Sequence, residues 1–198
     1  VAALNVGMTS EVRAAVCYPR QLQVESYRLV LAYAQAAERH GASIRQGQVV
    51  GFSHSGSRVS GVILADGQKV PADAVLLTTG PWTTEAGSWL GCRLPVVPER
   101  GQILRLDVAD INKGYAPFYG ETYVLPKVDG SVLAGTTREH GVYENRVTED
   151  GRASIVRRVS AMMPGLSGAH LVHAVSGLRP MSEDHLPMLG RLPGWDNA

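Results

Sequence analysis

The sequence predicts a mixed α/β (α+β) fold in two lobes that meet near residues 92–98. Three observations predict it. Apolar residues recur at helical spacing from about Ser26 to His40. An unbroken apolar run at 74–77 is typical of a strand buried on both faces, as in a parallel sheet. From Pro95 onward, short β-rich segments follow one another, separated by turn residues.

Local signals place the elements of the first half. Ser26 suits the N-cap of the first helix, and Gly41 suits the left-handed position that ends it. The pair Asp66-Gly67 lies between two strand-like runs and predicts a two-residue hairpin turn, since both positions need positive φ. A short helix is predicted over 84–91, after the apolar run.

The second half is predicted to be mostly β. Its strands are expected at 95–107, 121–128 and 130–137, and Asp129-Gly130 turns the last two. A helix from about Glu149 to Met163 follows, with apolar residues at helical spacing and a stop at Pro164-Gly165. The segment 169–177 is again extended.

Composition limits the class of protein. The 198 residues are 44% hydrophobic and 19% charged, which is ordinary for a soluble globular protein and argues against disorder. A net charge of +1 provides no strong field for nucleic acid or an anionic membrane. No apolar run approaches the roughly 20 residues of a membrane span. Cys17 and Cys92 lie far apart, which favours two free thiols in a reducing cytoplasm.

Several kinds of active site are disfavoured by spacing. The segment "GFSHSG" at 51–56 misses the G-x-S-x-G pattern of a nucleophile elbow. His170 and His173 are three apart on a predicted strand and point to opposite faces, so no metal site is expected. Neither G-x-x-x-x-G-K-[ST] nor G-x-G-x-x-G occurs in the sequence.

Two segments remain as candidates, each with a structural alternative. The run 74–82, "AVLLTTGPW", either lets a nucleotide approach its small residues or is only a strand entering a turn. Arg179 lies in "SGLRPMSEDHLPMLGR", stiffened by Pro180. It either grips a carboxylate with both guanidinium edges or forms a surface ion pair with Glu183 or Asp184.

Five segments together resemble the D-amino acid oxidase/glycine oxidase (DAO) family of FAD-dependent amine oxidoreductases. "SGLRPMSEDHLPMLGR" is similar to the family's G-L-R-P-x-x-x-D-x-x-P-x-x-G-R, and "PERGQIL" to its P-x-R-G-Q strand. "YVLPKVDGSVLAGTT" resembles its Y-x-x-P-R-x-D-G-x-x-x-x-G-T strand pair. "HGASIRQGQVV" and the block ending in "TTGPW" resemble its helix, β-excursion and A-x-G-x-W block. The resemblance covers roughly residues 15–197 in consistent order.

The resemblance implies a set of residues that bind FAD. Val50 corresponds to a valine whose backbone meets the adenine. Thr79, Gly80 and Trp82 belong to the block that passes the adenosine. Arg100 and Gly101 belong to the strand near the substrate side of the flavin.

The resemblance also implies how the substrate is held. Arg179 matches the arginine that binds the substrate carboxylate, and Tyr123 matches a tyrosine that contacts the substrate. Both are therefore the expected catalytic residues. No metal is implied.

The sequence departs from the family pattern in ways that bear on the substrate. Lys127 replaces the usual arginine, Val175 stands where a tryptophan is common, and Glu25 replaces a proline. The family's opening G-x-G-x-x-G segment and its closing glycine-rich segment are also missing, so the chain is expected to be the middle of such an enzyme.

The domains predicted on this basis divide the chain into three stretches. Residues 1–94 are expected to form part of an FAD-binding, Rossmann-like lobe. Residues 95–170 form a β-rich, antiparallel substrate-binding lobe with one helix. Residues 171–198 return to the FAD-binding lobe.

The implied function is oxidation of the C–N bond of a small amine or amino acid by hydride transfer to flavin, in the cytoplasm. Oxygen or another molecule would accept the electrons, and neither nucleic acid nor a membrane is expected as a partner. A homo-oligomer is left open. Two alternatives remain: a non-catalytic domain without tight flavin binding, or another flavoenzyme reaction, such as that of a quinone-linked dehydrogenase or a hydroxylase.

Overall fold

The computed structural model describes residues 6–108 and 114–198. These residues form two units. The first contains the described residues of 1–15 and 77–190, and the second contains 16–76 and 191–198.

The second unit combines one helix with a small antiparallel sheet in the order β1-β2-β3. The helix ends as predicted, with Gly41 at a φ of +92°, but its N-cap is Glu25, one residue earlier than expected. A hairpin turn lies at the predicted place, and Gly67 has a φ of +86°. The prediction of a two-residue turn with positive φ at both positions is wrong, because Asp66 is not among the residues with positive φ and the Leu64 amide bonds the Gln68 carbonyl at 2.9 Å, which leaves residues 65–67 in the turn. The Asp66 side chain accepts a hydrogen bond from the amide of Gln68 at 2.9 Å. The elements are α1 (Ser26–Arg39), β1 (Val49–Ser55), β2 (Arg58–Leu64) and β3 (Lys69–Pro71).

The predicted buried strand at 74–77 is wrong. Residues 72–79 belong to no strand, and Leu76 is 86% exposed. The Val75 amide donates to the carbonyl of Asn197 at 2.9 Å, but no described strand pairs along this segment. An apolar run becomes a buried strand only when neighbouring strands complete its hydrogen bonds and layers cover both faces. Neither condition is met within the described residues.

The first unit is built on a six-stranded antiparallel sheet in the order β5-β6-β7-β4-β8, with β9 also paired to β4. The long β4 (Val96–Asp107) is its centre. Along one edge it pairs with β9 (His170–Ser182), and on the other it pairs with β7 and β8. The remaining strands are β5 (Phe118–Tyr119), β6 (Thr122–Pro126), β7 (Val132–Gly135) and β8 (Glu139–His140). The strands expected at 95–107, 121–128 and 130–137 and the extended segment at 169–177 are therefore confirmed.

Two helices complete the first unit. The short α2 (Thr83–Ser88) follows a 3-10 turn, and α3 (Glu149–Met162) matches the predicted second helix within one residue. Apolar side chains of α3 and of the sheet form the main core. Its buried members are Leu104, Leu106, Val124, Val132, Ala134, Ile155, Val159, Met162, Met163 and Leu166. The predicted mixed α/β fold is confirmed.

Within the described ranges, none of the helices is both long enough and apolar enough to cross a lipid bilayer. Cys17 is exposed and Cys92 is half-buried, and neither forms a disulfide within the described residues.

Candidate functional site

Alternation along β4 gives the larger sheet two chemically different faces. Side chains of Leu104 and Leu106 enter the core with α3, so Glu99, Gly101 and Ile103 lie on the opposite side. Residues directly opposite one another in antiparallel strands share a face, and the register fixes which residues these are. We call this side the Arg179 face, defined by Glu99, Gly101, Ile103, Tyr123, Gly135, Val175, Gly177 and Arg179.

Arg179 is held by three acceptors on this face. Its Nη2 donates to the Thr136 hydroxyl at 2.9 Å, and its Nη1 donates to Glu99 Oε1 at 3.3 Å and to the carbonyl of Thr137 at 3.4 Å. The side chain remains 38% exposed. The alternative of a surface ion pair with Glu183 or Asp184 is not what the structure shows, and the exposed Glu183 pairs with Arg93 at 2.7 Å.

Gly101 makes the position of this guanidinium possible. A Cβ atom at residue 101 would lie 2.3 Å from both terminal nitrogens of Arg179 and 2.4 Å from its Cζ. Such distances are far inside van der Waals contact. The absence of a side chain at Gly101 therefore lets the Arg179 guanidinium lie flat across the strand.

The Tyr123 ring lies over a second glycine, Gly135, in the same way. A Cβ atom at Gly135 would lie 2.6 Å from Tyr123 Cζ and Oη, so the ring crosses the sheet directly over this glycine. The ring of Phe118 packs against it with centroids 5.7 Å apart. Burial raises the pKa of the Tyr123 hydroxyl, against opposing effects of the Arg179 charge and a hydrogen bond with Thr136. Tyr123 is therefore a neutral hydrogen-bonding group beside the guanidinium.

Glu99 is a member of the site that sequence reasoning missed. Its side chain is 7% exposed, and its Oε1 accepts from Arg138 Nε at 2.9 Å as well as from Arg179. Burial raises the pKa of this carboxyl, but the hydrogen bonds and charges of Arg138 and Arg179 outweigh burial and hold the pKa below its usual value. One signal pointed to it: Glu99 precedes Gly101 by two, so both share a face of one strand.

The charges on this face differ in burial. The one buried carboxylate, Glu99, lies between two guanidinium groups, of Arg138 and Arg179, whose side chains are 41% and 38% exposed. Glu121 is a further partner of Arg138 at 3.4 Å, but it is half exposed and largely screened by solvent. The formal charges of these two carboxylates and two guanidinium groups sum to zero, so binding of a small anion here would depend on charge-assisted hydrogen bonds from the guanidinium groups and the tyrosine hydroxyl, and not on a net positive charge.

Comparison with known proteins identifies the family. The family model described as DAO, FAD dependent oxidoreductase, matches residues 1–198. The chain belongs to this family. Its cofactor is FAD, as the sequence predicted.

The relatives include amine oxidases. Glycine oxidase of Pseudomonas putida KT2440 is 35% identical over 147 residues, which cover 74% of this chain and 40% of that protein. The crystal structure of glycine oxidase from Geobacillus kaustophilus superposes with a TM-score of 0.80 and 29% identity, over 88% of this chain and 47% of that one. The crystal structure of iminodiacetate oxidase from Chelativorans sp. BNC1 superposes with a TM-score of 0.82 and 30% identity, over 88% of this chain and 48% of that one. The chain thus spans less than half the length of each of these three proteins.

The segment around Gly80 fits the predicted approach of FAD. Gly80 begins a 3-10 turn (Gly80–Trp82) with a φ of +56°, and a Cβ atom there would meet nothing within 4 Å. Thr79 is exposed and its hydroxyl lies 3.1 Å from that of Thr83, while Trp82 is 53% exposed. Open backbone with an accessible aromatic ring is compatible with the roles assigned to Thr79, Gly80 and Trp82, which stay predictions.

Val50 occupies a different kind of position, in the second unit. It lies in β1, at the edge of the three-stranded sheet, where the register with β2 shifts between Val49 and Gly51. Its side chain is 43% exposed. Within the described residues one edge of β1 pairs with no strand, and the contact of the Val50 backbone with adenine stays a prediction.

Arg100 and Gly101 are adjacent in β4 but point in opposite directions. The Arg100 side chain is 7% exposed, donates from Nε to Glu139 Oε2 at 3.1 Å, and donates from Nη1 to the Glu144 carbonyl at 3.0 Å. Arg100 therefore serves an internal ion pair on the face opposite Arg179. Gly101 leaves room for the Arg179 guanidinium. Direct contact of Arg100 or Gly101 with FAD stays a prediction.

Proposed function

We propose that this chain is part of an FAD-dependent enzyme that oxidises the C–N bond of a small amine or amino acid, with Arg179 binding the substrate carboxylate. The observation that carries the proposal is the placement of Arg179: half-exposed, flat over Gly101, and fixed by Glu99 and Thr136. The similarity to glycine oxidases and to an iminodiacetate oxidase supports the same class of substrate.

The residues of the Arg179 face supply binding and orientation. A guanidinium held from behind by Glu99 and Thr136 can present its remaining edge to a carboxylate, and charge-assisted bonds of this kind are worth about 1.5–3 kcal/mol. The neutral Tyr123 hydroxyl beside it can donate a further hydrogen bond to the same group. Two fixed contacts orient a small substrate in a single way.

When bound, FAD would supply the redox chemistry, as the acceptor of the hydride lost by the carbon that carries the amine. The protein residues on this face do not supply a base. Glu99 is ion-paired to Arg138 and Arg179 and has a lowered pKa, which suits a counter-ion and not a group that removes a proton near neutral pH. In this proposal the face orients the substrate and excludes its wrong orientations.

The test is substitution of Arg179 in the complete FAD-containing enzyme. Arg179→Leu is expected to raise KM for a carboxylate-bearing amine by at least about tenfold, because a charged hydrogen-bonded contact is lost. Arg179→Lys is expected to be impaired as well, since a point charge cannot replace the planar fork. Arg93→Leu is the matched control: it removes an equal charge from an exposed ion pair and should leave KM unchanged. An Arg179→Leu enzyme with native KM would refute the assignment.

A further inference from the structure

Arg138 is a second arginine of the site, for which the sequence predicted no role. It directly precedes β8, and its Nε bonds the same Glu99 oxygen that Arg179 bonds. Since both nitrogens lie within hydrogen-bond reach of one oxygen atom, they are at most about 6 Å apart. The two guanidinium groups therefore belong to one cluster.

Arg138 has a guanidinium nitrogen that can donate a hydrogen bond to a further anion. Its Nε is used by Glu99 and its Nη1 by the half-exposed Glu121, at 3.4 Å. Nη2 has no hydrogen bond to any residue in 6–108 or 114–198. The side chain is 41% exposed, so a ligand on the Arg179 face can reach it.

The spacing of the two arginines selects a class of ligand. If Arg179 takes one carboxylate, a second carboxylate a few bonds away in the same molecule can reach Arg138. A monocarboxylate leaves Arg138 with only its partners in the protein. We infer that Arg138 is a specificity-determining residue that makes this site prefer amines with two closely spaced carboxylates over the matching monocarboxylates. This inference rests on the proposed role of Arg179.

Acetate and malonate are the probes that separate the two arginines, because malonate has a second carboxylate and neither is turned over. Each is titrated into the complete FAD-containing enzyme at about 0.15 M salt, where long-range charge effects are screened, and binding is followed by the flavin absorbance. The native enzyme is expected to bind malonate at least about tenfold more tightly than acetate. Arg138→Leu should abolish this preference by weakening malonate binding about tenfold, with acetate changed less than about twofold.

Three further variants are matched controls. Arg105→Leu removes the same charge from the same side of β4, where Arg105 pairs with Asp129, and should keep the malonate preference. Arg138→Lys keeps the charge without the fork and should recover part of the preference, while retained acetate binding by Arg138→Leu shows that this variant folds. Arg179→Leu should weaken both anions.

The outcomes distinguish this inference from the proposed function. Equal binding of acetate and malonate by the native enzyme overturns the inference and leaves the role of Arg179 intact. Equal weakening of both anions by Arg138→Leu also overturns it, since Arg138 then acts only through Glu99 on Arg179. If Arg179→Leu changes neither anion, the proposed function itself fails, and the inference fails with it.

Discussion

Glycine at two positions on adjacent strands decides where the long side chains of the site lie. Gly101 lies beneath the Arg179 guanidinium, and Gly135 lies beneath the Tyr123 ring. A glycine inside a strand costs roughly 0.5–1 kcal/mol relative to alanine because it loses more conformational freedom on folding. In return, the two glycines allow the Arg179 guanidinium and the Tyr123 ring to lie across the sheet instead of projecting from it.

Substitution of Gly101 tests this arrangement. In Gly101→Ala the new methyl group would overlap the guanidinium, which is the flexible end of a side chain and moves more easily than backbone. We expect acetate affinity in the complete enzyme to fall about tenfold, since Arg179 loses its position. The free energy of unfolding should change by less than about 1 kcal/mol.

Gly168→Ala is the control for Gly101→Ala, because a methyl group at residue 168 meets nothing within 4 Å. It should alter neither acetate affinity nor stability by a measurable amount. Native acetate affinity in Gly101→Ala would show that the guanidinium does not depend on the glycine.

Besides its apolar packing, the start of helix α3 is hydrogen-bonded to a buried polar side chain of β4. Gln102 is fully buried; its Oε1 accepts from the Thr148 amide at 2.8 Å, and its Nε2 donates to Thr148 Oγ1 at 3.0 Å. Thr148 in turn caps the helix by accepting from the Gly151 amide at 3.1 Å. A Cβ atom at Gly151 would lie 2.3 Å from Gln102 Nε2, so the helix start and the strand fit only with glycine there.

Loss of the cap should loosen this connection. Thr148→Ala removes the acceptor for the Gly151 amide and one partner of the buried Gln102. The free energy of unfolding is expected to fall by about 1–2 kcal/mol, as measured in urea. Thr148→Ser keeps the hydroxyl and should retain most of the stability. Equal losses in the two variants would mean that the methyl group, and not the hydrogen bonds, is what matters.

Across the whole chain, the features predicted correctly are those with local causes. The helix ending at Gly41, the position of the turn at Asp66-Gly67 and the helix beginning near Glu149 each depend on residues within a few positions of one another. The segment at 74–77 was mispredicted because burial of a strand depends on neighbours that the segment does not itself encode.

The candidate site shows the same division. Arg179 could be predicted because the segment around it has a distinctive sequence. Tyr123 could be predicted because the sequence of its strand pair is distinctive too. Glu99 and Arg138 were missed since their roles arise from pairing across the sheet: Glu99 lies 80 positions from Arg179 in sequence and directly opposite it in the register of β4 and β9. Contacts of this range follow from topology and cannot be seen in a local pattern.

The stability of the first unit is expected to depend on pH through its partly buried ion pairs, because a net charge of +1 produces little overall repulsion near neutrality. The hydrogen bond from Arg100 is the main cause that lowers the pKa of Glu139 below its usual value of 4.5. A lowered folded-state pKa contributes stability that is complete above about pH 4.5 and is lost as the pH falls through the folded-state value.

Glu139→Gln therefore tests that ion pair. At pH 7 it should lower the free energy of unfolding in urea by about 2 kcal/mol, because the buried Arg100 loses its main charged partner and keeps only the longer charged contact, of 3.8 Å, with the exposed Glu144 carboxylate. The difference from the native protein should begin to narrow below about pH 4.5, where Glu139 becomes protonated in the unfolded state, and should close as the pH falls through the lower folded-state pKa, where Glu139 becomes neutral in the native protein too. Glu183→Gln, in the exposed pair with Arg93, should change stability by less than about 0.5 kcal/mol at pH 7. A difference for Glu139→Gln that stays constant from pH 7 to pH 3 would show that the charge of Glu139 contributes nothing to the stability of this unit.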